Sequence, residues 1–445
     1  MTEHFHSVTL DRDKCKGCTN CIKRCPIEAI RVRAGKACII EERCIDCGEC
    51  IRICPNHAKI AVSDTMEVVA KFRHAIALPA PSLFGQFRQE VSPSRVLGAL
   101  LEVGFDEVFE VAVAAEAVSY AFRRALKLGV ARRPMISSAC PAVIRLMQVR
   151  FPSLLDHIVR IKSPMEVAAR LAKERALADG RFKPEEVGAF FITPCPAKVT
   201  AVKQPVGTSE SAVDGVISMS LIYGEVLTRL DRGREVAPQA TAAGIGWGRA
   251  GGEAMAVGRG TLLAVDGIHY VISVLEELER GRLGDVDFIE AQACVGGCVG
   301  GPLVVQNPFV ARVRLRQLAE QHWDKRSVLD MDYLEDRFAR GYFDMRGEIL
   351  PRPVMKLDED IDRAIVKMKL LEETLERLPG LDCGSCGSPS CRALAEDIVR
   401  QDAMETDCIF KLRERVQELA EQVVDLARKV PPAMSTESEK GGEER

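Results

Sequence analysis

The sequence predicts a central α/β domain with mainly parallel sheets flanked by helices. It also predicts an α+β domain before it and a small helical, cysteine-rich module with a coiled-coil helix after it. Two observations carry this prediction. Short apolar runs alternate with amphipathic stretches between residues 75 and 350, which is the pattern of parallel α/β units. Sixteen of the 17 cysteines fall into four groups, two before this region, one within it and one after it.

The bulk composition excludes two classes of partner. The chain is 47% hydrophobic with a net charge of −3, so it has no electrostatic attraction for nucleic acid or anionic lipid. No apolar run reaches the roughly 18 residues of a transmembrane helix, and the polar start lacks a signal peptide's apolar stretch. We therefore expect a cytoplasmic protein, in which clustered cysteines indicate metal or redox chemistry rather than disulfides.

Residues 1–64 are predicted to form the N-terminal domain, with two copies of one cysteine pattern. Each copy reads C-x2-C-x2-C-x3-C followed by proline, and the second starts 29 residues after the first. A β-like run follows each copy, at residues 29–32 and 59–62, which indicates an internal duplication. The two groups are Cys15, Cys18, Cys21 and Cys25, and Cys44, Cys47, Cys50 and Cys54.

In this pattern three closely spaced thiolates hold one 4Fe-4S cube and the fourth reaches the other cube. Zinc also accepts four cysteines, but it does not need this duplicated spacing. The unit resembles bacterial two-cluster ferredoxins over residues 8–62, which implies an electron relay. We assign one cube to Cys15, Cys18, Cys21 and Cys54, and the other to Cys44, Cys47, Cys50 and Cys25.

Residues 75–355 are predicted to form the central domain, joined to the first by residues 66–74. Helices are predicted at 113–128 and 163–178. Strands are predicted at 75–80, 107–113, 134–140, 189–195 and 287–294. Three of these runs end at Cys140, Cys195 and Cys294. Because α/β folds bind ligands at the carboxyl ends of parallel strands, we expect a site there.

Three phrases surround the central cysteines. They are Ser137-Ser138-Ala139-Cys140-Pro141, Thr193-Pro194-Cys195-Pro196-Ala197-Lys198, and the segment 290–298, EAQACVGGC. Together they resemble, in order, the three signature motifs of FeFe hydrogenases over residues 75–310. The phrase at 163–165 and the glycine-rich segment 244–252 are also similar. A lone buried cysteine is usually an inert core thiol, but four in matching motifs are not lone.

The resemblance implies the H-cluster, a 4Fe-4S cube joined through a cysteine sulfur to a two-iron unit with CO and cyanide. Cys298 carries the bridge and Lys198 binds a cyanide, which suits a cationic donor. Ser138 and Pro194 are expected to contact the cofactor. Lys198 could instead be a surface lysine and Glu290 a solvated charge. The implied cube ligands are Cys140, Cys195, Cys294 and Cys298.

The sequence departs from the active members of that family along the proton path. Their relay cysteine, just before the first cube ligand, is Ala139 here, and a methyl group carries no proton. In the second motif, Thr193 and Ala201 stand where those members have a methionine and a glutamate. An ungapped match puts Ser119 and Phe122 where their relay carboxylates lie. Glu116 is a possible substitute for those carboxylates. This pattern resembles sensory FeFe hydrogenases, which implies slow, reversible H2 oxidation and proton reduction. The resemblance also implies maturation enzymes and a redox partner such as ferredoxin.

The C-terminal module is predicted at residues 378–411, after a helix at 358–378. Its cysteines are Cys383, Cys386, Cys391 and Cys408, spaced C-x2-C-x4-C-x16-C with a helix at 392–404. The spacing resembles a small 4Fe-4S module, with zinc as the alternative. This gives three 4Fe-4S clusters besides the H-cluster.

Residues 412–430 carry apolar residues at the 4-3-4-3-4 spacing of a two-stranded coiled coil, and residues 431–445 are expected to be disordered. The coiled coil would join two chains or dock a signalling protein; an amphipathic helix packed on the body is the alternative. Two other functions stay open. One is a bulk ferredoxin-linked hydrogenase with another proton path, and the other a non-enzymatic iron–sulfur assembly protein holding only a cube.

Overall fold

The computed structural model describes residues 5–429. The predicted disordered tail, residues 431–445, and position 430 at the end of the predicted coiled coil lie outside the described residues. The strands are β1 (Val8–Leu10), β2 (Ile30–Arg33), β3 (Lys36–Ile39), β4 (Lys59–Ala61), β5 (His74–Pro79), β6 (Glu107–Val108), β7 (Met135–Ile136), β8 (Val187–Thr193), β9 (Gly215–Ser218), β10 (Leu262–Asp266) and β11 (Phe288–Gln292). The α-helices are α1 (Asn20–Arg24), α2 (Glu49–Arg52), α3 (Met66–Val69), α4 (Pro93–Val103), α5 (Val111–Leu128), α6 (Pro141–Arg150), α7 (Pro164–Leu177), α8 (Pro196–Lys203), α9 (Met219–Leu227), α10 (Ala242–Gly246), α11 (Gly252–Val257), α12 (Ile268–Glu279), α13 (Pro308–Gln321), α14 (Met331–Ala339), α15 (Ile361–Arg377), α16 (Cys391–Val399) and α17 (Ile409–Arg428).

The N-terminal unit is built from two antiparallel strand pairs and two short helices. Strand β1 pairs with β4, and β2 with β3. Ala34 and Gly35, between β2 and β3, both have positive φ, 48° and 71°, as a tight hairpin turn requires. Helix α1 carries the third cysteine of the first group, and α2 carries the third cysteine of the second. The two halves therefore repeat, as the sequence pattern predicted.

The central region contains two parallel sheets. One has the strand order β6-β5-β8-β9 and the other β10-β11-β7, and every pairing in them is parallel. All seven residues of β8 are buried, and helices α5 and α7 pack on each other beside the larger sheet. The prediction of parallel sheets flanked by helices is confirmed.

Two features of the central sheets differ from the predicted elements. The strand predicted at 107–113 ends at Val108, and its second half is the buried first turn of α5. A short apolar run at a strand–helix boundary has no period that separates the two states. Strands β9 and β10 were not predicted. β10 is half-exposed and β9 has only 4 residues, so neither forms a long apolar run.

The C-terminal module consists of α15 and α16 packed against each other, with a small apolar core that includes Leu371 and Leu394. Helix α15 lies within the predicted range 358–378. Helix α16 ends at Val399, earlier than the predicted residue 404. Gln401 has φ 68°, a left-handed conformation typical of the residues that follow a helix.

The module docks on the N-terminal unit, far from it in sequence. Asp397 accepts hydrogen bonds from Arg31 Nε at 2.6 Å and Arg33 Nη2 at 2.7 Å, and Arg31 and Asp397 are both buried. The backbone N–H of Val32 donates to the carbonyl of Gly387 at 2.7 Å. A side chain at Gly387 would bring a Cβ within 2.0 Å of the Val32 oxygen. The cysteine loop of the module therefore forms a hydrogen bond with the free edge of strand β2.

Helix α17 leaves the module and contacts little else. None of its residues is buried. The structure therefore does not show this helix packed on the body of the protein, which was the alternative to the coiled coil. Between residues 5 and 429, no helix combines the length and the apolar character needed to cross a bilayer.

Candidate functional site

The four central cysteines meet at one cavity. Cys140, Cys195, Cys294 and Cys298 line one cavity whose walls are mostly apolar. Ala139, Pro194 and Lys198 line the same cavity. Four thiols up to 158 positions apart along the chain thus converge, as the three motifs predicted.

Local chain geometry brings the first three thiols together. Cys140 follows β7, Cys195 follows β8 and Cys294 follows β11, so all three lie beyond the carboxyl ends of parallel strands. Helices α6 and α8 begin at the proline after their cysteine, where proline's fixed φ suits the first helical position. Each of these two cysteines is held at a strand–helix junction.

The fourth thiol depends on a glycine loop. Gly296 and Gly297 have φ of 83° and 87°, which favours glycine. A Cβ at Gly297 would lie 2.4 Å from the Ala250 nitrogen and 2.4 Å from Gln292 Oε1. The loop can therefore pass close to its neighbours and return Cys298 to the same cavity as Cys294.

Burial raises the pKa of three of these thiols, Cys195, Cys294 and Cys298, and the neighbouring thiols add to the rise. Burial raises the pKa of Cys298 to about 12, although the Lys198 charge opposes the rise. Burial likewise raises the pKa of the Cys195 thiol, with Lys198 again opposing and Cys140 adding to the rise. Thiolates become stable in such a pocket only beside added positive charge, and metal ions supply it.

The residues present fit a cluster rather than a single ion. Four sulfur donors suit zinc or iron–sulfur chemistry. Sulfurs that are each about 2.3 Å from one zinc ion lie within about 4.6 Å of one another, whereas no three of these four sulfurs lie within 4.8 Å of one another. Lys198 is buried on this wall, and its Nζ donates to the Ala139 carbonyl at 3.2 Å. It is therefore not the surface lysine of the alternative reading, and its ammonium faces a space where an anionic ligand fits.

Ser138 occupies a different place from the other predicted cofactor contacts. Its hydroxyl donates to the Ile161 carbonyl at 2.5 Å. The side chain lines a neighbouring cavity, of about 510 Å³, that also contains Glu166. Its hydroxyl is thus engaged by backbone rather than free on the wall of the four-thiol cavity.

The positions of the expected proton relay hold no free acid. Ser119 Oγ donates to the Ala115 carbonyl at 2.8 Å and accepts from Trp247 Nε1 at 2.9 Å. Phe122 stacks on Trp247 with ring centroids 6.2 Å apart. Glu116 accepts from the Thr241 N–H at 2.7 Å and is not part of the cavity wall.

A buried carboxyl pair, Glu253 and Glu290, lies near the cavity, and sequence reasoning missed Glu253. Burial, together with the charge of Glu290, raises the pKa of Glu253 well above its usual value, while the Ser137 hydroxyl faces it and opposes the rise. Burial raises the pKa of Glu290 to about 7, against hydrogen bonds from the N–H groups of Gly251 and Ala254 at 2.9 and 2.8 Å. Glu253 follows the glycine-rich segment 244–252, which was the only signal near it. Glu290, which the sequence left as a possible solvated charge, is buried.

The N-terminal thiols also divide into two sets. One set lines a single cavity of about 340 Å³ and consists of Cys15, Cys18, Cys21 and Cys54. In the other set, burial raises the pKa of Cys50 to about 12, and the thiols also raise one another's pKa. This second set consists of Cys25, Cys44, Cys47 and Cys50. The division follows the predicted crossed pattern.

The C-terminal thiols form the remaining set, and Cys38 stands apart. Burial raises the pKa of Cys386, and the nearby thiols of Cys408 and Cys383 add to the rise. Cys391 belongs to the same apolar core as Cys386 and Cys408. Cys38 is exposed, and its sulfur faces only the Lys36 carbonyl at 4.0 Å.

Neighbouring thiol sets are joined by packing and hydrogen bonds. Cys25 and Cys47 pack in the same apolar cluster as Cys140 and Cys195. Gly48 leaves no room for a side chain, because its Cβ would lie 2.4 Å from Pro302. Val32 lines the cavity of the Cys15 set and is bonded to the C-terminal module, and Arg43, next to Cys44, pairs with Glu396 of that module.

Comparison with known proteins agrees with this architecture. The family described as "Iron only hydrogenase large subunit, C-terminal domain" matches residues 73–262 and 253–302, just over half of the 445 residues. A "4Fe-4S dicluster domain" matches residues 7–55, and an "Fe-S cluster" family matches residues 378–410. The chain belongs to the FeFe (iron-only) hydrogenase family.

Individual relatives support the same family. The chain is 33% identical over 215 residues to the periplasmic Fe hydrogenase large subunit of Nitratidesulfovibrio vulgaris, covering 44% of this chain and 51% of the relative. It is 28% identical over 234 residues to iron hydrogenase 1 of Clostridium pasteurianum, covering 46% and 41%. The chain thus spans about half the length of these curated relatives. An apo FeFe hydrogenase structure from Chlamydomonas reinhardtii shares the fold, with a TM-score of 0.50, 15% identity and coverage of 65% and 97%.

Proposed function

We propose that this chain is a low-turnover FeFe hydrogenase that holds the H-cluster and reports on H2 or redox state. The observation that carries the proposal is the cavity wall. Ala139 lies on it beside four converging thiols, where active family members have a relay cysteine. Losing a positioned acid–base group typically costs about 10²–10⁴ in rate. Slow turnover suits a sensor better than bulk H2 metabolism.

The chain's own residues would hold and surround the cofactor. Cys140, Cys195, Cys294 and Cys298 hold the cube as thiolates, with Cys298 also joining the two-iron unit. When bound, the H-cluster supplies the metal centre at which H2 is split or formed. Lys198 donates to an anionic ligand on it. The apolar lining, which includes Phe191 and Trp247, keeps bulk water away and strengthens that interaction.

The test combines infrared and gas measurements on protein produced with its maturation enzymes. CO and cyanide bands report the two-iron unit, and H2 uptake and evolution report turnover. The proposal expects the bands together with rates orders of magnitude below those of bulk-type enzymes. Bands with full bulk rates contradict the sensory reading. Absence of the bands favours the assembly-protein alternative, which holds only a cube.

One observation favours the second candidate, a bulk hydrogenase with another proton path. The Glu253 carboxyl faces Ser137, whose Oγ in turn accepts from the Ala139 N–H at 3.1 Å. A neutral buried carboxyl can donate a proton to a neighbouring hydroxyl. Glu253 would then donate its proton to Ser137 Oγ, and Ser137 would release its own hydroxyl proton toward the cavity, with the Ala139 N–H holding Ser137 Oγ in place.

Substitution of Glu253 measures how much that route contributes. Glu253→Gln keeps the size and removes the titrating proton. The matched control is Glu110→Gln, another buried carboxyl, which accepts from Ala240 N–H. We expect Glu253→Gln to lower H2 turnover at least tenfold and Glu110→Gln to leave it near wild type. Equal rates in both variants would exclude the route.

The remaining sites would serve electron transfer. Three 4Fe-4S clusters, held by the two N-terminal sets and by Cys383, Cys386, Cys391 and Cys408, would connect the central cavity with a redox partner such as ferredoxin. The proposed partners are H2 and protons, the maturation enzymes, a signalling protein, and a second copy of the chain through residues 412–430.

A further inference from the structure

Helix α17 has an apolar stripe that nothing in the described chain covers. The stripe consists of Ile409, Leu412, Val416, Leu419, Val423 and Leu426, and each side chain is at least 42% exposed. A solvent-exposed helix of 20 residues gains little stability alone, because most helical stability in proteins comes from packing an apolar face. The stripe therefore indicates a partner.

The residue types along the stripe identify the partner as a second α17. In heptad terms Ile409, Val416 and Val423 occupy position a, and the three leucines occupy position d. β-branched residues at a with leucine at d favour parallel, two-stranded coiled coils over trimers and tetramers. A partner with an unrelated groove would impose no such separation of residue types.

The flanks of the stripe agree with a parallel pair. In a parallel pair, each g position faces the following e position of the other helix. Arg415 then faces Ala420, and Gln422 faces Ala427. Neither pairing brings two like charges together. Two ion pairs on the helix involve no residue of the stripe itself, between Lys411 and Glu414 at 2.7 Å and between Arg415 and Glu418 at 3.0 Å. Pairing along the stripe leaves them intact.

We propose that α17 forms a parallel, in-register, two-stranded coiled coil with α17 of a second copy of this chain. The proposal adds partner, direction and register to the homodimer of the proposed function. In this arrangement Cys408, immediately before the first a position, lies beside its counterpart, so the terminal thiol sets of two protomers are neighbours. The dimer does not depend on H2 chemistry.

The first test is the solution mass of the anaerobically purified full chain. We expect twice the 48.9 kDa chain mass at micromolar concentration, and monomer for the double variant Leu419→Lys, Leu426→Lys. Glu421→Lys, at the exposed position f, is the control and stays dimeric. Both variants should keep the wild-type cluster absorbance. A monomeric wild type, a higher oligomer, or a dimer that persists in the double variant overturns the proposal.

The second test measures direction and register. In a parallel pair, Val423→Cys lies opposite itself and forms an interchain disulfide under mild anaerobic oxidation. In an antiparallel pair, the two new thiols lie about three turns apart, beyond the roughly 7 Å limit for a bridge. Glu421→Cys, which faces outward, controls for the native thiols. Cross-linking of Val423→Cys alone supports the parallel register, and equal cross-linking of both variants refutes it. Both readouts are independent of infrared bands and gas turnover, so this proposal and the proposed function can fail separately.

Discussion

The proposed slow turnover depends on the methyl group of Ala139. It lies among the four thiols and Lys198, a position from which a proton donor could reach a bound cofactor. The two nearby polar candidates are engaged elsewhere, since Glu116 accepts from the Thr241 backbone N–H and Ser119 accepts from Trp247.

We predict that Ala139→Cys raises H2 turnover of the matured protein by roughly 10²-fold, because a positioned thiol restores proton transfer. Ala139→Val is the control, since it adds comparable bulk without a proton. The measurement is H2 evolution with a chemical reductant. Higher H2 turnover in both variants would attribute the effect to packing. Unchanged turnover in both variants would show that the missing thiol does not limit the rate.

Glu290 gives a pH dependence with a definite sign. Its pKa is raised from 4.5 to about 7, so the fold favours the protonated carboxyl. This contribution to the free energy of unfolding is complete below pH 4.5 and is lost as the pH rises through about 7. A shift of this size corresponds to a contribution on the order of 3 kcal/mol.

We therefore expect the thermal midpoint of wild type to fall between about pH 5 and pH 8 more steeply than that of Glu290→Gln, which cannot ionise. Glu42→Gln, at an exposed position, should retain the wild-type slope. Parallel pH profiles for all three proteins would show that Glu290 does not carry the dependence.

At the scale of single residues, the sequence was enough to predict the thiol sets but not the buried carboxyl groups. Cysteines in fixed spacings with proline and glycine have few alternative readings, so the four sets could be predicted before any fold was known. Glu253 has no motif of its own. Its unusual chemistry comes from burial beside Ser137 and Glu290, which only the folded chain creates.

At the scale of elements, the docking of the C-terminal module on β2 is the least predictable feature. Asp397 pairs with Arg31 across 366 positions, and no sequence period records such a pairing. The parallel sheets, by contrast, could be predicted because apolar runs alternate with helical stretches. The strand at 107–113 was overextended for the same reason, since burial of α5 makes its first turn equally apolar.

We predict that Asp397→Ala loosens the module by about 3–5 kcal/mol, because it leaves Arg31 buried without its partner. Limited proteolysis between α15 and α17 should become faster. Glu418→Ala removes an exposed pair worth about 0–1 kcal/mol and should not change the digestion rate. Unchanged protection in Asp397→Ala would mean that the other contacts, which include the Arg43–Glu396 ion pair and the Val32–Gly387 hydrogen bond, hold the module.

At the scale of the whole molecule, the four thiol sets adjoin one another. The central cavity adjoins the Cys25 set, and the C-terminal module is bonded both to Val32, beside the Cys15 set, and to Arg43, beside Cys44. An electron partner that docks near the C-terminal module would depend on the cluster of that module, whereas a small reductant could enter at any point.

We expect the double variant Cys383→Ser, Cys386→Ser to lower ferredoxin-driven turnover at least tenfold and to leave turnover with a small chemical reductant near wild type. Cys38→Ser removes the one ungrouped thiol and serves as the control. Equal losses with both reductants would indicate damage to the central site instead of a broken relay.

The junction at Cys408 has a mechanical consequence. This residue is both the last thiol of the terminal set and the residue from which α17 starts. An electron arriving there would place additional negative charge beside the positive end of the helix dipole, which firms the first turn. Oxidation would relax it. The redox state of a cluster held by Cys408 would therefore be coupled to the stability of the first turn of α17.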